Sequence, residues 1–303
     1  MIENLFNSQI AILILILTGC VLARLKLLNA QFRNYLTDFV INFILPCNII
    51  KSFMMEFNAQ IMRDCLAVCI VSAVTQVLTL WMGKVLYRHA DEKKRPSLQY
   101  ATMVSNAGFL GNPIVEGLYG AQGLLYASIY LIPQRIMMWS AGITCFTGSR
   151  GKGVLKKVLT HPCIVAVGIG LVLMVTQLQL PGWLDKPLSL AAGCNTALSL
   201  IVIGGILAEV DPRRMISKTA LHFCAVRLVV IPLIVLAGCR CVGFDQLVVE
   251  TSTVLAGMPA PLIMAIMASK YGSDEKFAVS LVFLSTIFSM ITIPLFCLLM
   301  IAL

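Results

Sequence analysis

The sequence predicts an all-α polytopic membrane protein whose ten transmembrane helices form two inverted five-helix repeats, with broken crossover helices at positions four and nine. Two observations lead to this fold class. Of the 303 residues, 59% are hydrophobic and only 12% are charged, whereas a soluble domain has about 25% charged residues. In addition, two long apolar stretches are interrupted by glycine and proline, at Gly111-Asn112-Pro113 and at Gly257-Met258-Pro259.

Ten apolar stretches are long enough to cross a membrane, because a spanning helix needs roughly 20 apolar residues. The predicted spans are residues 5–23, 34–55, 64–87, 98–118, 123–147, 160–178, 187–209, 218–238, 246–270 and 277–302. The connections between them are short. We therefore expect no large domain outside the membrane.

The distribution of positive charge predicts the orientation, since cytoplasmic loops are enriched in lysine and arginine. Most of the 23 lysines and arginines lie in the odd-numbered loops, for example between Lys84 and Arg95. This bias predicts a multi-pass protein of the cell (inner or plasma) membrane with both termini outside the cytoplasm. It also accounts for the net charge of +9, so a nucleic-acid partner is not expected.

A short basic loop divides the spans into two sets of five. Residues 1–147 are predicted to form the first repeat, residues 148–158 a cytoplasmic loop, and residues 159–303 the second repeat. Because each half has an odd number of spans, the halves begin on opposite sides of the membrane, as in the inverted repeats of secondary transporters.

The two interruptions fall in the fourth span of each half, and each is followed by a Tyr-Gly pair, Tyr119-Gly120 and Tyr271-Gly272. Proline cannot donate a main-chain hydrogen bond, and the freed main-chain groups are tolerated in a membrane only inside protein or beside a water-filled cavity. Each interruption is therefore either a structural kink or part of a binding site.

We favour a binding site near the middle of the membrane, where the two interruptions meet. Half-helices that begin near Pro113, and near Pro259 or Pro261, direct their N-terminal ends toward the midplane. These ends carry partial positive charge and free N–H groups, which suit a carboxylate. Asn106 and Asn112 add side-chain donors, and Met258 and Ala260 add main-chain groups.

Several motifs together resemble the auxin efflux carrier family, which includes the plant PIN-FORMED carriers and many prokaryotic proteins. The matching segments are Asn106–Pro113 with Tyr119-Gly120, Phe39–Pro46, Ala225–Pro232, Met258–Tyr271, Ser285-Thr286 and Pro294. The short loop 148–158 makes this chain similar to a prokaryotic member. The order of these motifs covers nearly the whole chain.

The resemblance implies a scaffold of spans 1, 2, 6 and 7 and a transport domain of spans 3–5 and 8–10. It also implies an elevator mechanism, a homodimer, and contact between Asn106 and the carboxylate of the substrate. Polar residues often follow the second-crossover proline in this family, but Ala260 and Pro261 follow Pro259 here. This departure leaves open whether the substrate is auxin-like or another carboxylate, such as malate or malonate.

Charged residues at membrane depth are costly and are usually paired or functional. Glu116, Arg135, Arg227 and Glu250 lie inside predicted spans and allow two ion pairs. Alternatively, an arginine is the counter-ion of the substrate, or a carboxyl group carries a coupling proton. Glu116 is preferred for proton coupling because it is nearest the first interruption. Asp64 is a second candidate, unless it is an interfacial residue in water.

Three further residues are candidates for the walls of the site. Asn42 and Pro46 are four residues apart and share one helix face, which is expected to form a scaffold wall. Gln134 either lines the cavity or makes a simple interhelical hydrogen bond.

Taken together, these features favour a secondary transporter of a small organic anion, with no cofactor and with a proton or sodium ion as a potential coupling ion. The chain has no Walker A motif and none of the common hydrolase motifs, so neither ATP-driven transport nor an enzyme is expected. No Cys/His set has zinc-like spacing.

The alternatives are an anion channel and a sodium-coupled carrier of the bile acid symporter type. The residues that could supply some of the oxygen ligands of such a symporter are Asn195, Glu250, Thr251, Ser252 and Thr253.

Overall fold

The computed structural model describes residues 2–54, 59–147, 156, 159–208 and 216–302, without the side chains of residues 2–9, 139, 143, 266, 269 and 270. Within these ranges the regular structure is entirely helical, which confirms the predicted all-α class. The predicted loop 148–158 lies outside the described residues apart from Lys156. The α-helices are α1 (Ile2–Arg24), α2 (Ala30–Phe39), α3 (Leu45–Phe53), α4 (Ala59–Leu86), α5 (Arg95–Met103), α6 (Asn112–Met137), α7 (Ile143–Thr147), α8 (Pro162–Thr176), α9 (Gly182–Gly193), α10 (Asn195–Leu207), α11 (Lys218–Ala225), α12 (Ile231–Val242), α13 (Gln246–Ala256), α14 (Ile263–Lys270) and α15 (Glu275–Ala302).

Five helical stretches of the described chain are long and apolar enough to cross a membrane. They are Ala30–Phe53, Ala59–Leu86, Gly182–Leu207, Lys218–Val242 and Glu275–Ala302. Large apolar side chains on α4 are exposed, including Leu66 and Trp81, which is the arrangement that contact with lipid requires. The chain is therefore a multi-pass membrane protein, while the ten-helix inverted repeat stays a prediction.

Two prolines that end motifs quoted above, Pro46 and Pro232, each follow a π-helical turn. Val40–Ile44 precedes Pro46, and Val226–Val230 precedes Pro232. Proline has no N–H group, and its ring clashes with the carbonyl group four residues earlier. The wider turn hydrogen-bonds five residues back instead of four. Both helices therefore continue through their prolines.

The chain divides into two compact units, and each contains segments from both halves of the sequence. The first unit is Met1–Cys65, Asn112–Ile129 and Leu159–Val210, and the second unit is Leu66–Gly111, Tyr130–Val158 and Asp211–Leu303. These compact units are not the two sequential halves, because packing joins segments that are distant in the chain. The boundaries of the predicted repeats stay a prediction.

Helices α1 and α10 pack within the first unit at main-chain contact distance. A Cβ atom on Gly204 would lie 1.9 Å from the carbonyl oxygen of Ile16, and one on Gly19 would lie 2.0 Å from that of Ile201. The thiol of Cys20 donates a hydrogen bond to the carbonyl oxygen of Gly204, at 3.1 Å. Small residues permit such close helix approach in membranes.

Helix α15 contributes many buried residues to the second unit. Two of its buried hydroxyl groups donate to carbonyl oxygens one turn earlier, Ser285 to Leu281 at 2.6 Å and Thr286 to Val282 at 2.7 Å. These bonds satisfy polar groups that would otherwise be costly inside a membrane protein.

Each Tyr-Gly pair that follows an interruption has a glycine with a positive φ angle. Gly120 has φ 66° and Gly272 has φ 72°, a region that favours glycine. At Gly120 the chain turns within α6, between the predicted fourth and fifth spans. Each Tyr-Gly pair thus contains a glycine that its backbone conformation favours.

Candidate functional site

The first interruption lies between α5 and α6. Helix α5 ends at Met103, and Val104 has extended backbone angles. A π-helical turn, Ala107–Gly111, then leads into α6. The carbonyl oxygen of Asn106 accepts hydrogen bonds from the N–H groups of Leu110, at 3.0 Å, and Gly111, at 3.2 Å. The helix therefore resumes at Asn106, whereas the sequence predicted a start near Pro113, and Pro113 follows the π-helical turn inside the continuing helix.

The second interruption lies between α13 and α14. Helix α13 ends at Ala256, and residues 258–261 are not helical before α14 begins at Ile263. Met258 and Ala260 are fully buried. The N–H group of Ala260 donates to the hydroxyl oxygen of Ser285 at 3.0 Å. A side chain from α15 therefore satisfies this non-helical segment.

The two interruptions are in direct contact, and this contact lies within the second unit. The N–H group of Asn106 donates to the carbonyl oxygen of Pro259 at 2.8 Å. A Cβ atom on Gly111 would lie 2.9 Å from Leu255 Cδ2 and 3.2 Å from Met258 Cγ. We call this meeting point, Ser105–Gly111 with Leu255–Ala260, the crossing.

Arg227 holds the crossing together from the π-helical turn between α11 and α12. Its side chain is only 2% exposed. Its Nε atom donates to the carbonyl oxygen of Met258 at 2.9 Å, and its Nη1 atom donates to that of Thr102 at 2.9 Å. Thr102 is in the last turn of α5, whose carbonyl groups lack intrahelical donors and carry partial negative charge.

The ion pair that was considered for Arg227 is not observed within the described residues, because its acceptors are main-chain carbonyl oxygens and not a carboxylate. These bonds use two of the five N–H groups of the guanidinium. A buried positive charge therefore lies against both interruptions.

Gln134 and Ser105 form a reciprocal pair of hydrogen bonds. The hydroxyl of Ser105 donates to Gln134 Oε1 at 3.0 Å, and Gln134 Nε2 donates to the carbonyl oxygen of Ser105 at 2.7 Å. Both side chains are buried. Gln134 thus makes an interhelical hydrogen bond, one of its two predicted roles, and it fixes the first interruption.

The side chain of Asn106 is 6% exposed. Its main-chain groups bond to Pro259, Leu110 and Gly111, whereas its side-chain amide has no hydrogen-bond partner among the described residues. A buried amide normally has partners. This amide therefore lies at the crossing with hydrogen-bonding capacity that the described residues do not use.

Glu116 lies in a separate polar cluster within the first unit. Its Oε2 atom accepts hydrogen bonds from Asn48 Nδ2 at 2.9 Å and from Thr196 Oγ1 at 3.4 Å. The ion pair that was considered for Glu116 is not observed, since both of its partners are neutral side chains of the described chain.

One turn before Glu116, Asn112 is fully buried, and neither of its amide atoms has a hydrogen-bond partner in the described residues.

Asp64 belongs to another buried network of the first unit. It is 7% exposed. It accepts hydrogen bonds from the hydroxyl of Tyr126 and from Gln60 Nε2, each at 2.9 Å. Gln122 Nε2 in turn donates to the Tyr126 hydroxyl at 2.9 Å. The alternative that Asp64 lies in water is therefore wrong.

A family model described as "Membrane transport protein" matches residues 5–156 and 151–297. The chain belongs to this family. The match confirms the resemblance to auxin efflux carriers at the level of the family, and the two matched segments overlap within the predicted loop 148–158.

Two archaeal relatives of the family align with nearly the whole chain. An uncharacterized transporter of Methanothermobacter thermautotrophicus is 26% identical over 298 residues, which are 95% of this chain and 96% of the relative. An uncharacterized transporter of Methanocaldococcus jannaschii is 22% identical over 297 residues, which are 94% of this chain and 95% of the relative. Transport is thus supported, and no substrate is named.

The remaining predicted residues lie in different surroundings. Asn42 is exposed, and its Nδ2 atom donates to the carbonyl oxygen of Asp38 at 2.7 Å. Pro46, one turn later, is half-buried. Glu250 accepts a hydrogen bond from Gln246 at 2.8 Å, so this partner of Glu250 is a neutral amide. Arg135 lies beside the crossing, with Nη2 3.4 Å from the Cβ position of Gly108.

Sequence reasoning missed three residues that shape the crossing, Thr102, Ser105 and Ser285. Ser105 begins the interrupted segment, and Ser285 belongs to one of the family motifs. The positions of both residues in the sequence therefore pointed to the crossing. Thr102 had none, since it contributes a main-chain carbonyl group. The sequence also gave no sign of a cavity of about 340 Å³ in the first unit, beside the ion pair of Lys51 and Asp185.

Proposed function

We propose that the protein is a secondary active transporter of a small organic anion, a carboxylate, which is held at the crossing and moved by elevator-type alternating access. Membership of the membrane transport protein family and the two archaeal relatives support the transporter class. The substrate and the elevator mechanism are not given by the family match or by the names of the relatives. The mechanism rests on the family resemblance, and the choice of an anion rests on the chemistry of the crossing.

The observation that carries the proposal is a buried arginine beside an unbonded amide at two interruptions that touch. Arg227 brings positive charge to the crossing through its bond to the carbonyl oxygen of Met258. The helix that resumes at Asn106 adds N–H groups that have no intrahelical acceptors, together with the partial positive charge of its N-terminal end. These features favour an anion and disfavour a cation.

The strength of such contacts suits a transporter. A hydrogen bond to a charged group contributes about 1.5–3 kcal/mol, so two or three of them from Asn106 and main-chain N–H groups would give moderate binding. A substrate that must be released on the other side of the membrane requires such reversible binding.

The experiment is counterflow in proteoliposomes that contain the purified protein. Vesicles preloaded with unlabelled malonate, malate or indole-3-acetate receive the same compound in labelled form outside. We expect one of these carboxylates to accumulate transiently and Asn106→Ala to abolish the accumulation. Asn34→Ala, at an exposed position on α2, is the matched control. Unchanged counterflow in Asn106→Ala would remove this amide from the site.

Two alternatives have different outcomes in the same vesicles. An anion channel would show large currents and no stimulation by internal substrate. A sodium-coupled carrier gains some support from Thr251, Ser252 and Thr253, whose hydroxyls are buried without hydrogen-bond partners among the described residues. Consecutive residues of a helix point in different directions, so these three cannot all bind one ion. Uptake that requires external sodium would favour this alternative.

A further inference from the structure

The polar cluster around Glu116 is a second candidate site, which shares no residues with the crossing. Glu116 lies on α6, and its two hydrogen-bond donors lie on other helices, Asn48 on α3 and Thr196 on α10. Both donors bond to Oε2 of the carboxylate. Three helices of the first unit thus fix the orientation of one half-buried carboxyl group, and Oε1 accepts neither of these bonds.

The partners of Glu116 within the described chain are neutral, although titratable groups lie on the neighbouring helices. Lys51 pairs with Asp185, and Tyr126 bonds to Asp64. Besides Glu116, the charged or titratable side chains of α6 are Tyr119, Tyr126, Tyr130 and Arg135; those of the neighbouring elements are Cys47 and Lys51 on α3, Cys163 on α8, Asp185 and Lys186 on α9, and Cys194 before α10. A partly buried carboxylate without a positive partner is costly, and a bound proton removes that cost.

Asn112 provides an independent observation. It lies four residues before Glu116, so the two side chains share one face of α6. Asn112 is fully buried, and both amide atoms lack a partner among the described residues. Buried amides in static packing are normally hydrogen-bonded. An unbonded amide on the same face therefore indicates a site whose hydrogen bonding changes during function.

We propose that Glu116 is the proton-binding group that couples transport to a proton gradient. This inference rests on the proposed transport function. A proton from water on one side of the membrane binds to Oε1 and converts the carboxylate into a neutral carboxyl group. The same proton leaves to water on the other side, which restores the carboxylate. Asn48 and Thr196 are positioning residues that keep Oε1 open to the proton.

The first test uses protons alone and requires no substrate. Infrared difference spectra of the purified protein, recorded between two pH values in H₂O and in D₂O, detect the C=O band of a protonated carboxyl group. We expect this band in the wild type and in the control Glu92→Gln, an exposed loop position, and its loss in Glu116→Gln. The same band in Glu116→Gln would overturn the proposal. Suppression of the band by sodium chloride, but not by choline chloride, would overturn it in favour of a sodium site.

The second test measures coupling in proteoliposomes with labelled malonate or with another carboxylate that shows counterflow. We expect the ratio of accumulation driven by a pH gradient to counterflow at equal pH to fall at least tenfold in Glu116→Gln. The ratio should not change in Glu92→Gln. An unchanged ratio in Glu116→Gln would refute coupling by this residue. Absence of counterflow in the wild type would refute the proposed function instead, and the infrared test would still decide on Glu116.

Discussion

Replacement of Arg227 by methionine is the perturbation that bears most directly on the crossing. Methionine keeps an unbranched apolar stem of similar length but removes the guanidinium. The carbonyl oxygens of Met258 and Thr102 then lose their donors, which lie at 2.9 Å in each bond. Each bond from a charged donor contributes about 1.5–3 kcal/mol, so the gross loss is about 3–6 kcal/mol. The net loss is smaller, because a buried charge no longer has to be desolvated.

Two readouts separate the structural role of Arg227 from its electrostatic role. The melting temperature of the purified protein reports the loss of the two carbonyl contacts. The affinity for a transported carboxylate reports the loss of positive charge. We expect both to fall in Arg227→Met, with affinity lower by tenfold or more. Arg227→Lys keeps the charge but not the fixed geometry of two donors, so its affinity should fall less.

The matched control is Arg240→Met, the same change at an exposed position of α12, which should alter neither readout. If Arg227→Met binds the carboxylate as tightly as the wild type while its melting temperature falls, Arg227 is only a structural clamp. The positive charge of Arg227 would then contribute nothing to binding of the carboxylate.

Two further predictions concern glycines. Gly204→Ala places a Cβ atom 1.9 Å from a main-chain oxygen of α1, so it should destabilise the protein by about 1–3 kcal/mol or more. The control is Gly238→Ala, where a Cβ atom meets nothing within 4 Å. The melting temperature of Gly204→Ala should fall well below that of the control. Gly120→Ala should cost about 1–3 kcal/mol, because φ 66° with ψ −155° is a conformation adopted essentially by glycine, whereas Gly117→Ala, with open space around its Cβ position, should not. Equal melting temperatures within either pair would contradict the corresponding packing or strain argument.

Glycine and proline favour helix interruptions for local reasons. Gly257 and Pro259 mark the second interruption in the chain itself, whereas Gly111 and Pro113 lie just after the first, in the helix that resumes at Asn106. The broken crossover helices of an inverted repeat stay a prediction. The hydrogen bond from Asn106 to Pro259 agrees with the expectation that these segments meet. The role of the crossing in binding an anion stays a proposal.

The partners of the charged residues could not be read from the sequence. An ion pair with a carboxylate was one of the two roles considered for Arg227, but its observed acceptors are carbonyl oxygens from α5 and the second interruption. Every residue except proline has the same main-chain donor and acceptor. The sequence alone therefore does not show which carbonyl groups lack a main-chain donor in the folded protein. The bond between Tyr126 and Asp64 likewise depends on packing between distant segments.

The most direct test of the central claim is the distance between a bound carboxylate and the side chain of Asn106. Solid-state NMR on membranes, with ¹³C-carboxyl malonate or whichever carboxylate shows counterflow and with ¹⁵N-asparagine protein, measures the dipolar coupling between the two labels. We predict strong coupling to one asparagine side-chain nitrogen in the wild type and its loss in Asn106→Ala. Coupling that survives in Asn106→Ala would place the anion elsewhere and contradict the account.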